Sequence, residues 1–345
     1  MKIKDEAFFK TIRGFLTVYL PKQRRLSENT IKSYKEALNL MLRYLEEEKK
    51  VALNQISFSM LDHKTIASFL DWLESARKCS ISTRNQRLAA LSSFFKYAGI
   101  ADISQRAFHN EIKKVPVKKA PGTVVEFLTK DELKTLLSQP DTRSHRGLRN
   151  QFMMILMFDA ALRCQEILDM KIRDFDGNTR APHIYVTGKG EKPRRIPIMN
   201  KTVEHFHQYI SVFHPKATWN KDDLLFYTVI HGERKPMSAD NVERFIKQYG
   251  ESAHKICPKM PERVHPHQLR HTRAIHLYRE GMPLPILAEF LGHSDISTTQ
   301  IYAYADPEMK RKAIQKAKGD DFPVGDELPV WKNDTEMIKK LCGLK

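Results

Sequence analysis

The stretch from His265 to Tyr304, HPHQLRHTRAIHLYREGMPLPILAEFLGHSDISTTQIYAY, constrains this chain more than any other. It holds His-x-x-Arg at 267–270, Leu-Gly-His at 291–293 and then Tyr302. Pro266 suits the first residue of a helix and Gly281 its terminator. On that helix His267, Arg270 and His271 fall at i, i+3 and i+4 and share one face. Pro285 to Leu291 reads as a second short helix stopped by Gly292, and Ser297–Gln300 has the S-x-x-Q form of a capping box that would open a third. Tyr302 lies in the first turns of that helix, with Tyr304 pointing to roughly the opposite side. Proton-handling and cationic groups gathered with one aimed tyrosine suggest a site for an anion and a nucleophile. The competing reading of the five histidines 265, 267, 271, 276 and 293 is a zinc site. Their spacing matches no common ligand pattern, and Arg270 would sit in the ligand face, so no metal is expected. A lone helical tyrosine is usually a core residue, so the ensemble carries the case, not Tyr302 by itself.

An anion site invites a look at charge. The 345 residues carry a formal +17, with 23 Lys and Arg against 12 Asp and Glu in residues 1–120, which places +11 there and +6 in the rest. A basic excess concentrated in one part points to a polyanion partner, most simply nucleic acid. The length allows two domains, and 41% hydrophobic with 29% charged residues is ordinary for a globular protein. No apolar run approaches the roughly eighteen residues of a membrane span, and no signal-peptide pattern opens the chain, so no membrane role is expected. Four scattered cysteines (79, 164, 257, 342) form no CxxC pair, as in a reduced, cytoplasmic protein.

Apolar residues at helical spacing predict helices over 6–20, 28–47, 63–77 and 82–98, the second capped by Ser27 and the fourth stopped by Gly99. The first turns of the fourth carry Thr83, Arg84, Asn85 and Arg87, groups that suit phosphates and base edges but that also describe an ordinary exposed turn. Residues 113–123, KKVPVKKAPGT, break the pattern with two prolines, a glycine and Lys113, Lys114, Lys118 and Lys119, a linker cationic enough to lie along a phosphate backbone. Beyond it, Thr129–Glu132 is a capping box. A long helical stretch from about 147 is apolar all round over Phe152–Phe158 and therefore buried. Arg163 and Glu166 stand out in its continuation as an i, i+3 ion pair. Residues 183–198 read as two short strands around a Gly-Lys-Gly turn. Residues 201–212 and 239–253 look helical, with no assignable pattern between them.

HQLRH followed by LGHSDISTTQIY resembles the C-terminal signature of the tyrosine recombinases, the integrase/Xer family, and Leu-Arg-x-x-Glu at 162–166 and Gly-Lys-Gly at 188–190 extend the resemblance over about residues 5–318. It implies a mostly α fold with a small β-hairpin sheet, arranged as a two-domain C-shaped clamp. A helical SAM-like core-binding domain would occupy 1–112, a basic linker 113–125, the catalytic domain 126–318, and a tail with a short helix 319–345. The family's catalytic set falls on Arg163, Lys189, His267, Arg270, His293 and Tyr302, with Glu166 orienting Arg163. Arg163 and Arg270 would hold the phosphate, which arginine forks suit, His293 would donate to it, Lys189 would protonate the leaving 5′ oxygen, and His267 would deprotonate or position Tyr302. DNA contacts are expected at Lys32, Lys35, Thr83, Arg84, Asn85, Arg87, the four linker lysines, Lys192, Arg194 and Arg195, with Lys192 second choice for the acid.

Neither cofactor nor metal is implied; the partners are duplex DNA bearing a specific site and three further copies of the chain, in the nucleoid. The family often has Gly where Ala161 stands, and Ile or Val with Ser where Cys164-Gln165 stand. The chain opening directly on core-binding helices suggests a simple recombinase, either of a mobile element or a chromosome-dimer resolvase, and those departures and the long tail lean towards the mobile element. A type IB topoisomerase-like relaxer shares the chemistry without partner exchange. A silent DNA-binding regulator would be expected to have lost part of the set.

Overall fold

In a computed structural model describing residues 3–120, 125–177, 179–188, 193–215, 220–305, 311, 335–341 and 343, the apolar stripes of the N-terminal region become helices. They are α1 (Glu6–Gly14), α2 (Glu28–Glu47), α3 (His63–Ser75), α4 (Ile81–Ala101) and α5 (Arg106–Lys113). The helix expected over 6–20 is in two parts, because α1 passes into a π-helical run, Phe15–Gln23, which contains Pro21 and extends past the expected end. Gly99 does not stop α4, which continues to Ala101. A Cβ at Gly99 would lie 3.2 Å from the Arg106 backbone, so this glycine admits the close approach of α5 instead. Ser27 occupies the N-cap position of α2, but its hydroxyl bonds Thr30 and no backbone N–H. Phe8, Phe15, Phe58, Phe94 and Phe95 fill the core, with Phe8 meeting Phe58 edge-on at 5.0 Å and Phe15 meeting Phe94 at 5.5 Å.

Contacts divide the chain into Met1–Thr123 and Val124–Lys345. The second unit has α6 (Lys130–Leu137), α7 (His145–Asp159), α8 (Cys164–Leu168), strands β1 (Phe175–Asp176), β2 (His183–Thr187) and β3 (Pro193–Pro197), then α9 (Asn200–Phe213). Strands β4 (Tyr227–Ile230) and β5 (Glu233–Pro236) follow, then α10 (Ala239–Ile256), α11 (Pro266–Arg279), α12 (Leu284–Leu291), α13 (Ser297–Ala305) and α14 (Thr335–Leu341). Thr129 and Glu132 form the expected capping box of α6. Phe152, Met153, Met154, Leu156 and Met157 of α7 are buried, as an all-round apolar helix requires. β1, β2 and β3 form one antiparallel sheet in that order, with Ile184 opposite Ile196. The patternless stretch before α10 contains the β4–β5 hairpin, whose residues are mostly exposed and so show no alternation. Asp159, at the end of α7, accepts from Met199 N (2.8 Å), Thr202 Oγ1 (2.7 Å) and Arg273 Nη2 (2.9 Å). One buried carboxylate thus joins α7, the start of α9 and α11, the frame on which the site is built.

Candidate active site

The helix carrying Arg163 is broken, not continuous. α7 ends at Asp159, Ala161 takes a left-handed φ of 49°, and Arg163 sits extended at the N-cap of α8. An L-residue in that region costs about 1–2 kcal/mol, a strain that glycine would not carry. The break lets Glu166, three residues on, accept from both Arg163 N (2.9 Å) and Arg163 Nη1 (2.7 Å).

α11 and α12 supply the second arginine and its seat. Arg270, 3% exposed, donates through Nη1 to Ala161 O (2.6 Å) and through Nη2 to Leu291 O (2.6 Å) and His293 Nε2 (3.1 Å). Arg163 Nη2 reaches Gly292 O at 3.1 Å. The Leu-Gly-His turn is therefore a carbonyl cradle for both guanidiniums. Gly292 terminates α12 at φ 64°, and a Cβ there would come within 2.6 Å of Arg194 Nη1, so conformation and space both demand glycine. Burial first, and then Arg163, pushes Arg270 down to about 10.

His293 is held neutral: burial, then Arg270 and Arg163, lower it to about 4. Because Nε2 accepts from Arg270, the ring proton is on Nδ1 and donates to Thr299 Oγ1 (2.8 Å). The expected donor to phosphate here holds Arg270 in place. Tyr302 is 1% exposed on α13, and its hydroxyl is 2.9 Å from Nδ1 of His271. Burial raises its pKa, with Arg270 and Arg163 pulling the other way. His267 is exposed, its ring centroid 6.3 Å from that of His271, and the ring touching Tyr302 is His271. The i+4 spacing already placed His271 on the face of His267 and Arg270; its contact with α13 is a tertiary fact that spacing does not carry. α13 does begin at Ser297, but Asp295 and not Ser297 caps it, Asp295 Oδ1 accepting from Ser297 N at 2.9 Å.

Arg194 differs most from its expected place. It lies on the inward face of β3, with Ile196, and grips Glu166 with both nitrogens, Nη1–Oε1 3.0 Å and Nη2–Oε2 2.8 Å. Burial opposes the Glu166 charge, yet Arg194 and then Arg163 hold the carboxyl below the usual range. Period-two alternation back from Ile196 was the one sequence signal for this inward seat. Arg195 points outward, with Nη2 3.0 Å from His183 Nδ1. Lys189 and Lys192 lie outside the described residues, as does the side chain of Tyr304.

The other expected DNA contacts separate by exposure. Lys32, Lys35, Lys113 and Lys119 are exposed. Lys114 pairs with Glu111, and Lys118 with Glu74 and Asp71. Thr83 bonds Ser80 in the cap of α4. Arg84 corrects the expectation of an exposed first turn: it is 2% exposed and bonds Pro116 O and Asn85 Oδ1. Asn85 clasps the Lys118 backbone in both directions, and Arg87 reaches Ser33 O at 3.0 Å. These groups bind residues 116–118 back onto the first unit, and α4 to α2.

Family models, relatives and solved structures match most of the chain. The phage integrase family matches residues 126–309, and the N-terminal SAM-like domain of phage integrases matches 12–100. The tyrosine recombinase XerA of Pyrococcus horikoshii is 30% identical over 92% of this chain and 97% of its own. Among solved structures, the Tn1549 transposon integrase in complex with transposon right end DNA matches with a TM-score of 0.65 at 17% identity, over 88% of this chain and 98% of that one. XerH recombinase bound to palindromic difH substrate matches with a TM-score of 0.63 at 20% identity, over 92% and 91%. Both structural likenesses concern the fold.

Proposed function

The chain belongs to the phage integrase family of tyrosine recombinases, enzymes of DNA strand transfer, and from that premise we propose that it cuts and rejoins duplex DNA at a specific site through a 3′-phosphotyrosine on Tyr302. The observation that carries this reading is the pair Arg163 and Arg270, laced to the carbonyls of Ala161, Leu291 and Gly292 beside the buried Tyr302 hydroxyl. A phosphodiester is anionic and resists attack, so cleavage needs its charge neutralised, a nucleophile aligned and a leaving group protonated. Two forked guanidiniums fixed before substrate arrives meet the first need without reorganisation. Tyr302 attacks phosphorus as the 5′ oxygen departs, taking a proton from Lys189, the acid that the Gly-Lys-Gly turn supplies. His267, one turn before His271, borders the same phosphate. His293 gains its Nε2 proton as the bound anion offsets the arginines around it, and then donates to that anion. The phosphotyrosine keeps the energy of the broken bond, so a strand from another duplex is joined without ATP or metal.

Exchange between two duplexes takes four such chains, and α14 is assigned to linking neighbours, because a seven-residue helix needs a partner surface. The exposed lysines Lys32, Lys35, Lys113 and Lys119 are assigned to phosphates, and a mobile element is the proposed setting, which the departures at 161, 164 and 165 favour. The test is trapping on nicked suicide DNA without added metal, comparing wild type, Tyr302→Phe and Tyr304→Phe. A covalent band lost only with Tyr302→Phe, with DNA held by its 3′ end, is expected. A band surviving Tyr302→Phe would sink the assignment, and none from any form despite tight specific binding would favour a regulator.

A further inference from the structure

We propose that His271, and not His267, takes the proton of Tyr302 as that tyrosine attacks; this rests on the strand-exchange reading above. Among the described residues, His271 is the hydrogen-bond partner of the Tyr302 hydroxyl, and the contact of 2.9 Å is buried on the tyrosine side, where water cannot serve instead. Among the described residues, the other titratable or charged groups acting on the ring are cationic or can become so: His265 at the N-cap of α11, His267 and Arg270 on α11, and His293 after α12. Burial and those neighbours hold the imidazole neutral, at about 4, so Nδ1 offers a lone pair throughout the neutral range. A base that weak works only in concert. As the Oη–P bond forms and the P–O5′ bond breaks, Oη turns from a phenol into an ester oxygen and its proton passes to His271 Nδ1. The departing 5′ oxygen receives its proton separately, from Lys189. A phosphate docked on Arg163 and Arg270 offsets the positive charge beside the ring, so His271 becomes more basic when the substrate is in place. In religation the imidazolium returns the proton to the leaving phenolate.

Single-turnover formation of the covalent band on nicked suicide DNA tests this between pH 6 and 9. Wild type, His271→Ala, His271→Asn and Tyr302→Phe are compared, each with and without added imidazole. The wild-type rate should be nearly flat with pH. His271→Ala should be slower by about 10²–10⁴ at pH 7, a general base's usual contribution, and should rise about tenfold per pH unit as hydroxide substitutes. Imidazole should restore part of its rate. His271→Asn keeps a hydrogen-bonding group but cannot take a proton, and should be as slow as the alanine variant. An asparagine variant at the wild-type rate would reduce His271 to a tether, and an alanine variant slow at every pH and deaf to imidazole would reduce it to packing; either overturns the proposal. A band from Tyr302→Phe would bring down the nucleophile assignment and this proposal with it. Full-speed His271 variants beside a dead Tyr302→Phe would overturn the proton transfer alone.

Discussion

At the scale of single residues, the site depends on guanidiniums aimed by backbone. Arg270 meets two main-chain carbonyls and an imidazole, and a carbonyl cannot rotate away as a side chain can. Lysine at 270 would keep the charge but match one of those acceptors at a time, losing the planar fork proposed to bind phosphate. Arg270→Lys should therefore slow cleavage about 10²–10³-fold, the typical cost of one transition-state donor. Single-turnover rates on suicide DNA, read beside gel-shift affinity, check this: the rate should fall far more than the affinity, and a matched fall in both would make Arg270 a binding residue only. The motif spacing announced Arg270, His293 and Tyr302. It could not announce their acceptors, because Ala161 O and Leu291 O belong to a left-handed turn and a helix end whose directions arise only on folding.

Among elements, the β2–β3 hairpin and the break between α7 and α8 are coupled through one carboxylate. Glu166 takes Arg163 from its own helix start and Arg194 from β3, and Arg194 is the first inward residue of β3, five positions after Lys189 in sequence. Ile196 seats the strand in the core, and the Arg194–Glu166 bridge orients its far end. Arg194→Ala should thus impair delivery of the leaving-group proton more than phosphate binding. A substrate with sulfur in place of the bridging 5′ oxygen leaves without a proton, so it should recover most of the lost rate, out of the about 10²–10⁴ that a general acid supplies. Equal loss on both substrates would instead place the role of Arg194 in holding Arg163. Local pattern showed the elements well: the capping box at Thr129, the buried run of α7, the hairpin, and α11 from its proline to its glycine. Pairings such as Arg194 with Glu166 or Arg84 with Pro116 join residues far apart in sequence, and polar side chains with no repeat of their own give such contacts no local trace. That is why β3 and the first turn of α4 read as exposed DNA contacts.

For the whole molecule, the two units answer acid differently. In Val124–Lys345, burial lowers His205, His214 and His276, and takes His271 and His293 to about 4. A histidine lowered on folding is held neutral in the native state, while the unfolded chain begins to bind protons near the ordinary value of 6.5. The unfolded state then carries more protons, so this unit loses stability progressively as pH falls from about 6.5 towards 4. Met1–Thr123 has one lowered histidine, His109; its other lowered groups are carboxylates, Asp62, Asp102 and Glu111, the last at about 2 through Lys114 and His63. Carboxylates lowered on folding stabilise above their unfolded values and lose that only as pH falls below about 4.5. Hydrogen exchange resolved by peptide, corrected for the intrinsic pH dependence, should show α11–α13 losing protection between pH 6.5 and 4.5 while α3 and α4 keep theirs. Simultaneous loss in both units would mean that they unfold as one cooperative body and that the buried histidines do not set the acid limit. The same gradient bears on function, because the neutral imidazoles that make the catalytic unit acid-labile are those that leave His271 and His293 able to accept hydrogen bonds from Tyr302 and Arg270.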